Sequence, residues 1–177
     1  SVSPPITTRI LQACEMYLGQ SPLLIDHKVK TGIPILYNPP SAVGADRIVD
    51  AVAVKTLYSI PACVVDFGTA TTFDAINAKG EYLGGAISPG IGISADALFS
   101  RTAKLPRVDI LSPGSVIGRN TVEAMQSGLL IGYVAMVEGM VNRFRKELGD
   151  DMKVIATGGL AELVSKETSS IDVLAPW

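Results

Sequence analysis

Asp66-Phe67-Gly68-Thr69-Ala70-Thr71-Thr72 sets a carboxylate at the end of the apolar run Ala62-Cys63-Val64-Val65 and follows it with a glycine and three threonines. A carboxylate at a strand end can hold a cation. A glycine turn offers backbone N–H groups and hydroxyls to the same space, so the string suits a nucleotide phosphate with its counter-ion. An Asp-x-Gly turn also occurs in plain hairpins, which need one glycine but not the surplus of hydroxyls. Gly44-Ala45-Asp46-Arg47 opens a helical period. An acid there is stabilised by the helix dipole and is commonly a cap. On a cleft wall, Asp46 would take a proton from a hydroxyl while Arg47 held an anionic or polar part of a substrate. Thr157-Gly158-Gly159 follows the strand-like KVIA. It is either a helix-entry turn or a place where missing side chains let a base or ribose lie against backbone. Gly84-Gly85 and Pro89-Gly90-Ile91-Gly92 read as loop glycines or walls of a pocket. His27, the single histidine, sits in an apolar strand pattern and reads as structural.

Alternating apolar runs and helical periods must position these residues. Residues 23–29 and 33–37 read as short strands, followed by a helix from Ala42 to Leu57 with Ile48, Val49, Val52 and Ala53 on its apolar face. Residues 61–77 read as two strands hinged at Phe67-Gly68-Thr69, and Lys79-Gly80 turns the chain into a third strand, giving a meander. A glycine-rich loop over 89–93 precedes a helix over 94–105, capped by Ser94 and stopped by Pro106. Residues 107–120 read as loop. Asn120 with Glu123 three residues later is a capping box, so a helix runs over 121–148 to Gly149. Along it Ala124, Gly128, Gly132, Ala135 and Gly139 form a stripe with almost no side chain. Each interior glycine costs about 1 kcal/mol against alanine, so the stripe calls for close approach of another helix or of a strand of the same lobe. Residues 152–160 are a strand and double-glycine turn, then a short helix AELVSK and a last strand IDVL.

The 177 residues can bury a large core. Hydrophobic residues make up 47% and charged residues 18%, so part of the surface is expected to be covered by a partner. With 15 basic and 17 acidic residues spread along the chain, net charge is −2 and no footprint for nucleic acid stands out. Cys14 and Cys63 lie far apart with one histidine in the chain, which excludes a Cys/His zinc site and suits a reducing compartment, the cytoplasm. No unbroken apolar run reaches the ~18 residues of a membrane span. The start at Ser1 and the end directly after a strand pattern suggest a fragment of a longer protein.

Taken in order, YNPPSAVGADRIVDAVA, DFGTATTFD, GGAISPGIGISADAL, TAKLP, GRNTVEAMQSG and ATGGLA resemble type III pantothenate kinase, the family that also holds the Bvg accessory factor proteins. DFGTATTFD resembles the second phosphate motif of the wider actin, sugar-kinase and Hsp70 superfamily, and TGGLA its adenosine motif. The resemblance runs over nearly the whole chain. It implies an α/β, actin-like (ribonuclease H-like) ATPase fold of two lobes, with residues 1–59 the remainder of an incomplete N-terminal lobe and 60–177 the C-terminal lobe. It implies ATP-dependent phosphorylation of the primary hydroxyl of pantothenate, the first step towards coenzyme A.

By position, the resemblance makes Asp46 the general base and assigns Tyr37, Gly44, Arg47 and Thr121 to pantothenate, Thr121 reaching the site of the partner subunit in a homodimer built on helix 121–148. Gly68, Thr69 and Thr71 fall to the ATP phosphates, Gly158 and Gly159 to adenosine, and Asp66 to a cation. The family uses Mg2+ and a monovalent cation, K+ or NH4+. Its first phosphate motif, Asp-x-Gly-Asn, does not occur in this chain. Phosphoryl transfer asks mainly for positioning and charge neutralisation, which a carboxylate base, a cation-holding carboxylate and a hydroxyl-rich turn supply. A superfamily kinase or phosphatase acting on a sugar or polyphosphate fits less well, because it lacks reason for the GADR and GRNT strings. A non-enzymatic accessory or regulatory protein on the same scaffold is the other reading.

Overall fold

The apolar run ahead of Asp66 becomes the central strand of one mixed sheet, with both faces covered, which is why it reads as continuous rather than alternating. The structure is a computed structural model and describes residues 4–175. Strands β1 (Ala62–Phe67), β2 (Ala70–Ile76) and β3 (Tyr82–Pro89) form the expected antiparallel meander. Strand β4 (Lys153–Thr157) lies parallel to β1, and β5 (Val173–Leu174) parallel to β4, giving the order β3-β2-β1-β4-β5. The β2–β3 turn is closed by Asn77, whose Oδ1 accepts from the N–H groups of Lys79 and Glu81, and by Gly80 at φ 73°.

Two apolar cores lie on the two faces. Cys63, Val65, Phe67 and Phe73 meet Leu130, Tyr133, Val137 and Val141 on one side. Ala62, Val64, Ile76, Tyr82 and Ile155 meet Ile48, Ala51 and Val54 on the other. The second group is supplied by helix α2 (Ala45–Leu57), so this helix shares a core with the sheet.

Several expectations are corrected. Helix α1 (Pro4–Ala13), continued by a wide turn Cys14–Leu18 and stopped by Gly19 at φ 61°, was not foreseen. Residues 23–29 form no strand, because Asp26 Oδ1 captures the N–H groups of Lys28 (2.8 Å) and Val29 (3.2 Å) in a turn. His27 therefore lies half-buried in a loop. Residues 33–37 make one parallel bridge, Ile35 to Tyr82, since Pro34 has no N–H and Pro39-Pro40 ends the extension. Helix α2 starts at Ala45 rather than Ala42, after a tight turn over Pro40–Ala42. Its buried face is Arg47, Ile48, Ala51 and Val54, while Val49 is 49% exposed. Counting apolar residues rotated the face because a charged residue occupies part of it.

Helix α3 spans Ile91–Arg101, not 94–105. Gly90 is its N-cap, and Ser94 Oγ donates back to Gly90 O (3.1 Å) from inside the first turn. The capping box at 120–123 is present: Glu123 N–H donates to Asn120 Oδ1 (3.0 Å) and Arg119 N–H to Glu123 Oε2 (2.8 Å). The helix it opens is α4 (Thr121–Gln126), a wide turn Ser127–Ile131, then α5 (Gly132–Leu148). Thr121–Leu148, 28 residues, is long and apolar enough by composition to cross a membrane, which the search for unbroken apolar runs missed. Its buried side is the core against the sheet. Ala124, Gly128, Gly132 and Ala135 are exposed, and a Cβ added at Gly128 or Gly132 would meet nothing within 4 Å, so among the described residues no strand packs on the stripe. Helix α6 (Ala161–Ser165) completes the fold.

Candidate active site

Strand alternation decides which face each polar residue takes. Val64 and Ile155 point towards α2, and so do Asp66 and Thr157 two residues further along their strands. In register, Asp66 lies between Thr72 of β2 and Thr157 of β4. The carboxyl ends of the parallel pair β1 and β4 thus carry one acid flanked by two hydroxyl residues, at the end of a sheet where ligands commonly bind. Gly158 follows at φ 91°, and a Cβ there would fall on Asp66 Oδ1 and within 2.7 Å of the Phe67 backbone. Gly68 lies on the other side of the same carboxylate, 3.7 Å from it for an added Cβ.

Helix α2 supplies the opposing groups. Asp46 is exposed in its first turn, with Oδ1 accepting from the Arg47 N–H at 2.9 Å. A Cβ on Gly44 would collide with that carboxylate, which explains the glycine at the N-cap. Arg47 turns inward. Its Nε donates to Asp74 Oδ1 at 2.7 Å, with the two side chains 8% and 0% exposed. Tyr82 OH donates to the same oxygen (2.7 Å) and Thr72 Oγ1 to Asp74 Oδ2 (2.8 Å). The guanidinium lies 5.9 Å from the Tyr37 ring centre and 5.8 Å from that of Tyr82. Arg47 Nη2 is buried without a hydrogen-bond partner. Burial pulls the guanidinium down, but Asp74, Tyr82 and Tyr37 outweigh it and the net shift is upward.

The structure therefore brings Tyr37, Gly44, Asp46, Arg47, Asp66, Gly68 and Gly158 to the α2 side of the sheet. Thr69 is in the β1–β2 turn, its carbonyl accepting from Gly90 N–H at 3.2 Å, and Gly159 is exposed beside Gly158. Thr71 is not among them: it points to the opposite face, fully buried, and its hydroxyl bonds to Tyr133 OH. Thr121 stands exposed in the first turn of α4, on the helix that packs against that opposite face.

Sequence reasoning missed Asp50, Asp74 and Tyr82. Asp74 closes the DFGTATTFD string, and a carboxylate in an otherwise apolar strand was the available signal. Asp50 lies one turn beyond Asp46. Burial, then Asp66, Asp74 and Asp46, push its carboxyl from 3.8 to about 7. Burial, Asp46 and Asp74 also raise Asp66. Among the described residues, the one cation paired with the group Asp46, Asp50, Asp66 and Asp74 is Arg47, already committed to Asp74. The surplus negative charge is met by protonation or by an added cation.

The donor set fits Mg2+ or a monovalent ion held by one carboxylate beside hydroxyls and backbone. Among the described residues no three Asp, Glu, His or Cys side chains form a metal cluster, so the remaining ligands would be phosphate oxygens and water, the usual manner of Mg2+ at nucleotide sites. A void of about 50 Å3 lies against Asp50, Val54, Val64, Ile155 and Thr157. Larger cavities, such as one of about 390 Å3 between Ser112 and Gln126, lie away from these acids.

Asp50 gives a pH signature. Between about pH 4 and 7 the unfolded chain has this carboxyl ionised while the fold keeps it protonated, so stability falls as pH rises through that window. Asp50→Asn is expected to flatten the fall and to stabilise the protein at pH 8 by about 1 to 2 kcal/mol, solvent screening having reduced the full shift. Thermal melts of both proteins from pH 4 to 8 check it, and parallel curves would place the titration elsewhere.

Comparison with known proteins adds a family. A family model described as type III pantothenate kinase matches residues 1–143. A type III pantothenate kinase of Moorella thermoacetica is 54% identical over 176 residues, 99% of this chain and 69% of the relative. The crystal structure of a Campylobacter jejuni protein described as a conserved Baf family transcriptional activator aligns with a TM-score of 0.56 at 23% identity, covering 81% of this chain and 61% of that one. At this identity the second likeness is one of fold.

Proposed function

Because this chain belongs to the type III pantothenate kinase family, we propose that the protein transfers the γ-phosphoryl group of ATP to the primary hydroxyl of pantothenate, giving 4′-phosphopantothenate for coenzyme A synthesis. Asp46 takes the hydroxyl proton as the oxygen bonds to the γ-phosphorus, and ADP leaves with the electrons of the broken P–O bond. The observation that carries the assignment is Arg47. A buried guanidinium fixed at Nε by Asp74 and left with a free Nη2 donor, one residue from an exposed acid, is arranged to receive an oxygen acceptor of a substrate beside a base. Tyr37, stacked near that guanidinium, forms a wall of the same pocket, and Gly44 gives the Asp46 carboxylate its room.

Asp66 would hold a cation, the Mg2+ of the nucleotide or a monovalent K+ or NH4+; when bound, such ions would neutralise the phosphates and the surplus acids. Gly68 and Thr69 face the phosphates, and Gly158 and Gly159 the adenosine. The order β3-β2-β1-β4-β5 supports a ribonuclease H-like lobe over 60–177. Residues 1–59 would then be the remainder of the N-terminal lobe, although α2 shares its core with the sheet. Free Cys14 and Cys63 suit the cytoplasm.

A coupled ADP-release assay on the full-length protein with pantothenate, with and without K+, tests the reading. Turnover that depends on pantothenate is expected. Pantothenate binding without turnover would favour the accessory, non-enzymatic role instead.

The homodimer forms on the exposed stripe of α4 and α5, with Thr121 reaching the partner's pantothenate. Gly132→Leu is expected to leave the protomer fold intact, since nothing lies within 4 Å of the added Cβ, and to shift the protein to monomer in sedimentation. An unchanged dimer would move the interface to another surface.

A further inference from the structure

We infer that Tyr133 is a positioning residue for the turn that seats the ATP phosphates, acting through Thr71 and Phe67; the inference rests on the kinase reading above. Phe67 and Thr71 are the last paired residues of the β1–β2 hairpin, immediately before and after the Gly68-Thr69-Ala70 turn. Both point away from the acids, into the core beneath α5. There one side chain engages both. The Tyr133 hydroxyl bonds to Thr71 Oγ1, and its ring lies 6.1 Å from the Phe67 ring at a 54° tilt.

Thr71 is fully buried and Tyr133 is 8% exposed. Two hydroxyls buried together satisfy each other, whereas a valine and a phenylalanine would fill the same space without a polar group to place. What the hydroxyl pair adds is a fixed distance between α5 and the end of the hairpin. The wide turn Ser127–Ile131 stands just ahead of Tyr133 and rotates it relative to a continuous α-helix, a distortion common near functional sites. From the other sides, Gly90 N–H donates to Thr69 O (3.2 Å) and Leu160 N–H to Phe67 O (3.4 Å). Thr71, which family likeness assigns to the nucleotide, thereby serves the turn from beneath instead of touching phosphate.

The test uses the full-length protein and Tyr133→Phe, Thr71→Val and Thr71→Ser. Two readouts are taken: amide hydrogen exchange at Gly68, Thr69 and Ala70 without nucleotide, and the affinity for a non-hydrolysable ATP analogue together with KM for ATP and for pantothenate. Tyr133→Phe and Thr71→Val are expected to speed exchange in the turn and to weaken the analogue, each by roughly fivefold, the scale of one lost hydrogen bond. Exchange at Lys79–Glu81 and the KM for pantothenate should stay within about twofold, and Thr71→Ser should restore both readouts. Exchange unchanged in the turn overturns the positioning role whatever the enzyme does. Faster exchange with unchanged analogue affinity overturns it differently, by showing that this turn is not the phosphate seat. A wild-type protein that binds no analogue removes the kinase reading and the inference with it.

Discussion

Asp46→Asn in the full-length protein is expected to lower kcat for pantothenate phosphorylation by about a hundredfold to ten-thousandfold, the range for loss of a general base. The fold should survive. Asn Oδ1 can still accept from the Arg47 N–H, as Asp46 Oδ1 does at 2.9 Å, and the side chain is exposed. Removing a negative charge from the first turn of α2 costs about 0.3 to 1 kcal/mol through the helix dipole. The same removal relieves Asp66 and Asp50, both of which Asp46 raises, so melting temperature should barely change. Pantothenate affinity, measured by calorimetry, should hold within about threefold, because the loss belongs to the transition state. A variant that keeps its rate would send the hydroxyl proton elsewhere, to water or to the phosphate itself.

The meander and its hinge were legible because Gly68, Lys79-Gly80 and the β-branched runs carry their information locally. The helix over 121–148 was legible from its capping box, though the wide turn at Ser127–Ile131 within it was not read from its residues. Residues 23–37 misled because two apolar runs bounded by polar residues satisfy a strand template, whereas Asp26 and Pro34 spend or lack the N–H groups that a ladder needs.

Asp46, Asp66 and Gly158, which the structure gathers on the α2 side of the sheet, stood out in the sequence by type and spacing. The role of Asp74 did not, because it depends on three partners drawn from α2, β2 and β3. The direction of Thr71 depends on strand parity relative to Asp66. The string DFGTATT places Thr71 five positions after Asp66, and an odd separation across a turn of unknown length fixes no face until the pairing Phe67 to Thr71 is known.

The Asp74 network gives the other large effect. Asp74→Asn is expected to destabilise the protein by about 3 to 5 kcal/mol, because it leaves the Arg47 charge buried without its partner. For a chain of this size each kcal/mol is worth about 2 to 4 °C, so the melt should fall by roughly 6 to 20 °C. Tyr82 loses an ionised acceptor in the same change, and the Arg47–Tyr37 face loses its anchor. Attraction within the pair does not by itself set the sign for the fold, since a buried ion pair replaced whole by apolar residues of similar volume is often neutral. Arg47→Met with Asp74→Leu should therefore recover most of the lost stability while leaving pantothenate binding abolished. That split would separate the two tasks proposed for the network, Asp74 holding Arg47 for the fold and Arg47 keeping Nη2 ready for substrate. A double variant as unstable as Asp74→Asn would show instead that the Thr72 and Tyr82 hydroxyls, stranded when the carboxylate goes, set the cost.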